Sequence, residues 1–161
     1  MSDSHPATPA FQHLMRFQAH VKEELPIRRQ PPGAKLSICY FLGGEFSGDR
    51  LRGKLLPGGG DWAIYRNEDC LDIEVRSVLQ THDGALIYMR YDGLWRAQVG
   101  TLLPVVAADG YKHYVPEQHY VRVFARFETD DARYAWLNGI LALGSGSRTE
   151  AGVSYDFHVV L

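Results

Sequence analysis

The sequence predicts an all-β protein, a single antiparallel β-barrel of about eight to ten strands. Three observations predict it. Short apolar stretches with strand periodicity recur along the chain between glycine-rich turn signals. Little of the sequence has the spacing of a long helix. Charged residues interrupt several apolar strands, which favours a barrel around a mixed cavity over a sandwich with wholly apolar inner faces.

Length and composition set the frame for this fold. The 161 residues suit one domain, expected over residues 11–161 after a disordered tail at residues 1–10. Seventeen basic and 19 acidic residues give a formal charge of −2 without a basic block, so nucleic acid is not an expected partner. No secretory signal and no membrane-spanning apolar run is visible, so we expect a cytoplasmic protein and no membrane partner. Cys39 and Cys70 are interpreted as buried thiols.

The first half of the chain contains four predicted strands. "FQHLMRFQAHVK" is interpreted as a strand because prolines follow it closely, and "AKLSICYFLGG" is a strand that ends in a turn. A short strand lies at residues 51–56. Next comes "LPGGGDWAIY", in which three glycines precede Asp61 and Trp62. Glycine permits a sharp bend or a close approach of another strand, so we expect a barrel rim here, with the two side chains on opposite faces.

The segment "CLDIEVRSVLQTHDGALIYMRYDGLWRA" is the clearest in the chain. Leu71, Ile73 and Val75 share one face and alternate with charged residues, which is strand periodicity. "HDG" at 82–84 predicts a hairpin turn, and "DG" at 92–93 predicts another turn. "HYVRVFARFET", the apolar run before "GSGSR", and "GVSYDFHVVL" are further strands. "DDARYAWLN" is expected to hold a helical turn, with Thr129 or Asp130 as its N-cap.

Asp61, Glu74 and Tyr88 are the candidate catalytic residues. Asp61 at the mouth would act as a base, although it could equally cap neighbouring turn amides. Glu74 lies two residues from Arg76 on one face, and counting from the "HDG" turn places Tyr88 near residues 77–78 as a general acid. These roles require the strand faces that carry Glu74 and Arg76 to point into the barrel. The alternative is that these charged residues lie on the solvated outer face.

Further polar and aromatic residues are candidate ligand-binding groups. Arginines converging on one cavity would bind an anionic ligand or stabilise an anionic transition state, and aromatic rings would form its walls. The alternatives are an inter-strand salt bridge for Arg76 and simple core packing for the aromatics. The candidates are Trp62, Arg76, Arg90, Arg122, Tyr134, Trp136 and Asn138, with Arg126 adding positive charge.

Motifs for other chemistries are missing from the sequence. Seven histidines show no HxH or HExxH spacing, and there is no CxxC, GxSxG, P-loop or dinucleotide-binding motif. We therefore expect no metal and no cofactor.

Four motifs in order resemble a known family. "GGEFSGDRLRGKLLPGGGDW" (43–62), "LQTHDGALIYMR" (79–90), "RFETDDARYAWLN" (126–138) and "GSGSR" (144–148) resemble the DUF3237 family, also called UPF0311, of small bacterial and fungal proteins. His82 stands where that family usually has an acid, and residues 91–119 are longer and more aromatic than its usual pattern. The resemblance implies a calycin-like or allene-oxide-cyclase-like antiparallel barrel, and it implies no settled activity.

The function expected from these residues is acid–base chemistry without a cofactor. The protein would be an isomerase, lyase or cyclase for a small aromatic or polyketide-like molecule held in the barrel. The alternative is a carrier or sensor that binds a small amphipathic or anionic aromatic ligand without turnover. Exposed strand edges and the 91–119 segment are compatible with a homodimer.

Overall fold

The structure, a computed structural model, describes residues 8–22, 24–28, 35–104, 112 and 114–161. Most of the predicted tail at residues 1–10, and part of the 91–119 segment, lie outside the described residues. The described residues form ten strands and two short 3₁₀-helices. The strands are β1 Phe11–Val21, β2 Leu25–Arg28, β3 Lys35–Ser47, β4 Arg52–Leu55, β5 Gly60–Tyr65, β6 Cys70–Thr81, β7 Leu86–Ala97, β8 His119–Glu128, β9 Ala142–Arg148 and β10 Gly152–Val160; the 3₁₀-helices are Pro116–Gln118 and Ala135–Gly139.

The strands form one closed antiparallel barrel. Its order runs β1–β10–β9–β8–β7–β6, then through β4 and β5 to β3, which pairs back with β1. β4 and β5 share one position between β3 and β6, since each pairs with a different half of β3. The barrel therefore has eight strand positions, and β2 pairs with the first half of β3 on the side where β1 pairs with the second half. The predicted all-β barrel and strand number are confirmed.

The β6–β7 hairpin has the predicted turn and register. Gly84 adopts φ 93° in the turn after Thr81, and Tyr88 lies opposite Val78. The second predicted turn, at Asp92 and Gly93, is wrong because β7 runs through both residues. A Cβ on Gly93 would lie 2.0 Å from the carbonyl oxygen of Arg122, so this glycine admits a close neighbouring strand rather than a reversal.

The two ends of the barrel differ in how they are filled. Phe17, Tyr91, Tyr155 and Phe157 pack against one another across the middle, with ring centroids 5.3–6.5 Å apart. Below them lies the end covered by the 3₁₀-helix Ala135–Gly139, whose Leu137 is fully buried; we call it the plugged end. Above them lies the end containing Tyr65, Leu71 and Trp95, which we call the cavity end.

The predicted helical turn in residues 130–138 exists, but its predicted cap is wrong. The helix begins after Tyr134, which provides no side-chain cap. Thr129 instead donates its hydroxyl to the carbonyl oxygen of Leu86 and accepts the amide of Asp131. Among the described residues, no helix has the length and apolar character needed to cross a membrane.

Candidate functional site

The candidate site is a small cavity at the cavity end, about 50 Å³ in volume. One water molecule needs about 10–15 Å³ of cavity volume, so this cavity holds a few water molecules or one small chemical group. Apolar and aromatic side chains form most of its wall, and its polar groups come from five strands. The polar and aromatic members are Cys39, Phe41, Asp61, Tyr65, Tyr91, Trp95, Arg148 and Tyr155.

Three glycines place Asp61 in this cavity. Gly58 has φ 104°, which other residues rarely adopt. A Cβ on Gly59 would lie 2.5 Å from the carbonyl oxygen of Arg76, and one on Gly60 would lie 2.8 Å from that of Cys39. The chain therefore turns sharply and enters tightly between β3 and β6. With this entry, Asp61, Ala63 and Tyr65 face the cavity, whereas Trp62 faces outward.

The Asp61 carboxylate lies at an opening in the sheet. The β5–β6 ladder pairs Asp61 with Val75 and then Ile64 with Asp72, and it skips the two positions between them. The Glu74 amide, released from the ladder there, donates a hydrogen bond to Asp61 Oδ1 at 3.0 Å. One oxygen of Asp61 is thus anchored to the backbone of β6.

Burial makes this carboxyl an unusual acid. Desolvation is the largest cause that raises the pKa of Asp61 to about 7, and the charges of Glu24 and Glu74 raise it further. The hydrogen bond from the Glu74 amide acts in the opposite direction but is outweighed. A carboxyl with a pKa near 7 exists in both protonation states at neutral pH, so it can accept and return a proton.

The Cys39 thiol and the Tyr91 and Tyr155 phenols of the cavity keep their protons. Burial raises the pKa of Cys39 to about 12 and raises the pKa of Tyr91 and Tyr155 above the ordinary tyrosine value. The Asp61 charge raises all three pKa values, and the Arg148 charge lowers the pKa values of Cys39 and Tyr155. Both charges therefore act within the same cavity. The phenols of Tyr91 and Tyr155 are therefore hydrogen-bond donors, not bases.

Two hydrogen-bonded groups border the cavity. Tyr65, in its wall, donates its hydroxyl to Glu24 at 2.6 Å. On the other side, Trp95 Nε1 donates to His119 Nδ1 at 3.1 Å, and the Tyr114 ring lies over His119 with centroids 4.7 Å apart. Burial lowers the pKa of His119, in keeping with a neutral ring that accepts the indole hydrogen. The Tyr114 hydroxyl in turn accepts the amide of Arg148 at 3.1 Å.

Of the three predicted catalytic residues, only Asp61 lies in the cavity. Glu74 is on the outer face of β6, where it pairs with Arg76, and Tyr88 is on the outer face of β7. The expectation that the β6 face carrying Glu74 and Arg76 points into the barrel is wrong. The apolar residues of the alternation, including Leu71, Ile73 and Val75, fill the barrel instead. Burying several charges costs far more than burying methyl groups, so the lumen keeps few.

The predicted binding arginines also lie outside the barrel. Arg76, Arg90, Arg122 and Arg126 are exposed on the outer faces of β6, β7 and β8. Trp62 is on the outside as well, with the Arg76 guanidinium 5.5 Å from its ring centroid. None of these five residues lines the cavity.

The remaining candidates belong to the plugged end. Tyr134 is buried there and donates to the Asp83 carboxylate at 3.0 Å. The Arg50 guanidinium lies 3.9 Å from the Trp136 ring centroid. Asn138 bonds both the amide and the carbonyl of Thr129. These residues close the barrel, and none of them lines the cavity.

Sequence reasoning missed most of the wall. Tyr65, Tyr91, Trp95 and Tyr155 each occupy the inward-facing side of an alternating strand, which is the signal that could have found them. Arg148 lies at the end of the "GSGSR" segment. Gly146 in that segment leaves room for Tyr155, because a Cβ there would lie 2.3 Å from its ring.

Known proteins share both the sequence pattern and the fold of this chain. The model of a family described as a protein of unknown function, DUF3237, matches residues 9–160. The chain belongs to the DUF3237 family. A curated relative, a UPF0311 protein of Rhodopseudomonas palustris (strain TIE-1), is 34% identical over 124 residues, which cover 77% of this chain and 79% of the relative.

Solved structures similar to this DUF3237 protein have the same barrel. A beta-barrel like protein from Acinetobacter baumannii AYE superposes with a TM-score of 0.83 at 28% identity, covering 98% of this chain and 99% of that chain. An enzyme from Penicillium herquei superposes with a TM-score of 0.72 at 17% identity, covering 98% of each chain. The second likeness shows the fold alone.

Within the described residues, no group of three or more histidine, cysteine, aspartate and glutamate side chains could hold a metal ion.

Proposed function

We propose that this protein is an acid–base enzyme that acts without a cofactor, with Asp61 as its catalytic residue. The observation that carries the proposal is the Asp61 carboxyl in the cavity wall, half-buried and anchored to the Glu74 amide, with a pKa that desolvation raises to about 7. Removing a carboxylate from water costs stability, so its presence in the cavity wall calls for a use. Proton transfer to and from a small molecule is the use that its pKa suits.

Each polar group of the cavity has a role in this proposal. The Asp61 carboxylate removes a proton from a C–H or O–H group of the substrate, and the negative charge develops on a substrate oxygen. The Arg148 charge and the hydroxyls of Tyr91 and Tyr155 stabilise that oxyanion. Protonated Asp61 then returns the proton at another atom, which gives an isomerisation, a cyclisation or an elimination.

The substrate class follows from the wall and from the volume. Tyr65, Tyr91, Trp95 and Tyr155 favour a small aromatic molecule, because rings pack against rings. Since about 50 Å³ holds only a few heavy atoms, the reacting group enters and the remainder stays near Tyr114 and His119. A cytoplasmic location would suit the two free thiols.

The second candidate is a carrier or sensor for the same class of ligand. The small volume favours it, because a tight cavity leaves little room for a substrate to rearrange. The two candidates share every wall residue and differ only in whether Asp61 exchanges a proton with the ligand.

The experiment combines a binding screen with turnover. Ligand-detected NMR against a panel of phenols and small aromatic acids identifies binders, and each binder is tested for conversion. Asp61→Asn is expected to keep binding and to lose about 10²- to 10⁴-fold in kcat, the range for a general base. Glu74→Gln is the matched control, since it changes a carboxylate on the outer face of the adjacent strand.

The pH profile gives an independent reading. If Asp61 acts first as a base, kcat/KM rises as the pH passes through about 7, because the carboxylate is the active form. Binding without conversion across the panel, with equal affinity for wild type and Asp61→Asn, would assign the cavity to a carrier instead.

A further inference from the structure

The outer face of β6, β7 and β8 carries two neighbouring rows of like charge. The strand register places Arg90 directly opposite Arg76 on one side and Arg126 on the other. Two positions along, Asp92 lies opposite Glu74. The arginine row, which runs across the three strands, therefore contains Arg76, Arg90 and Arg126. The neighbouring carboxylate row contains Glu74 and Asp92. We call these residues the charged face.

This arrangement is unfavourable within one chain. Like charges directly opposite one another on adjacent strands destabilise a sheet. Exchanging Arg90 and Asp92 would give every charge an opposite neighbour with the same composition, and the chain does not use that order. The side chains of Arg90, Asp92 and Arg126 make no ion pair or hydrogen bond within the part of the chain that the structure describes.

An exposed apolar strip borders the charged face. Phe124 continues the carboxylate row on β8 and lies opposite Leu143 on β9. Leu141 comes just before β9, two residues from Leu143. Phe124, Leu143 and Leu141 are 43%, 41% and 40% exposed. Adjoining apolar side chains with this much exposure mark an interaction surface better than isolated ones do.

We propose that the charged face binds a second copy of this chain. The two-fold axis lies in the interface and crosses the strands midway between the two rows. This rotation places the arginine row of each copy on the carboxylate row of the other. Arg90 then faces Asp92 of the second copy and Arg76 faces Glu74, and each contact occurs twice. Along the same axis, Leu141 meets Leu143 of the second copy, and Arg126 meets Phe124.

Charge complementarity selects this occupant over a small anion. An anion bound to the arginine row would also face the carboxylate row, about 7 Å away at two residues along a strand. A second copy supplies both signs at the required spacing, because it carries the same two rows. The proposal concerns the outer wall and does not depend on the function of the cavity.

The test is a charge exchange followed by sedimentation velocity over a range of protein concentrations. The wild-type chain is expected to form a dimer that weakens at high salt. Arg90→Asp and Asp92→Arg each create two like-charge contacts across the interface, so the dimer dissociation constant is expected to rise at least about 100-fold. The double variant restores opposite charges at both contacts and is expected to return to nearly the wild-type value.

The design separates assembly from folding. Each single reversal removes like-charge opposition inside the chain, so both variants are expected to fold, and thermal unfolding checks this. Arg52→Asp, on exposed β4, is the control with the same change of charge and leaves the dimer intact.

Three results would overturn the proposal: a wild-type monomer at every concentration, a dimer indifferent to the single reversals, or failure of the double variant to restore it. A monomer that binds inorganic phosphate, and loses it in Arg90→Asp, would assign the face to an anion.

Discussion

Asp61 in the wall of the cavity end and Asp83 in the exposed hairpin turn at the plugged end have opposite surroundings. Asp61 accepts one backbone amide, lies near two other carboxylates, and has its pKa raised to about 7 by burial. Asp83 accepts the hydroxyls of Thr81 and Tyr134 and pairs with Arg133, and its pKa is lowered, mainly by the Thr81 hydrogen bond.

The difference shows how one residue type serves two purposes. At the plugged end, donors and a cation hold the carboxylate charged, so Asp83 ties the hairpin turn to the segment before the 3₁₀-helix. At the cavity end, few donors stabilise the charge, so Asp61 stays ready to exchange a proton. Hydrogen-bond supply and burial, rather than the residue type, separate the structural acid from the reactive one.

The largest expected effect is a pH-dependent gain of stability in Asp61→Asn. An acid with a higher pKa in the folded state lowers the free energy of unfolding as the pH rises from about 4 to 7. This loss of stability is complete above pH 7. It amounts to roughly 4 kcal/mol, because burial moves the pKa of Asp61 from 3.8 to about 7. Urea unfolding at pH 8 should show the variant more stable than wild type, and the two should converge near pH 4.

Asp72→Asn is the control for that measurement, since Asp72 pairs with Arg66 on the outer face. A variant less stable than wild type at pH 8 would mean that the charged Asp61 is well accommodated, and the contrast between the two ends would fail.

Truncation at the plugged end is expected to have the next largest effect. Leu137→Ala removes a fully buried side chain, so the free energy of unfolding should fall by about 2–5 kcal/mol. Ligand affinity at the cavity end should not change, because the aromatic cluster of Phe17, Tyr91, Tyr155 and Phe157 separates the two. Chemical denaturation measures the first quantity and ligand titration the second. Coupled losses would show that the ends are not independent.

A smaller effect is expected from Tyr134→Phe. The substitution keeps the buried ring and removes the hydroxyl that donates to Asp83, so stability should fall by about 1 kcal/mol. Thermal unfolding at pH 7 measures the change. Tyr120→Phe, on the exposed face of β8, is the matched control and should be neutral. An unchanged melting temperature in Tyr134→Phe would remove Tyr134 from the network that closes the barrel.

The smallest effect is expected from Glu74→Gln. Its ion pair with Arg76 is exposed, and such pairs contribute at most about 1 kcal/mol. The backbone amide of Glu74 still donates to Asp61, so the pH midpoint of activity should stay near that of wild type. A large shift of that midpoint would show that the Glu74 charge, and not burial, controls Asp61.

Alternation and turn signals were enough to predict the barrel, its strand number and the β6–β7 register. They did not predict which face of β6 points inward. The expectation that charged side chains line the barrel interior was therefore wrong for Glu74, Arg76 and Arg90. Asp61 was found because its glycines are conspicuous. The cavity wall was not found, because Tyr91 and Tyr155 look like any other core aromatics in the sequence.

What the sequence determined by itself is local: period-two strands, the turn at Gly84 and the tight entry at Gly58, each set by backbone sterics within a few residues. Only the tertiary structure decided which residues meet across the barrel. Asp61, Tyr155 and Arg148 come from strands far apart in the chain, and the raised pKa of Asp61 exists only once closure removes water around it. Desolvation is a property of the closed barrel and not of any one segment.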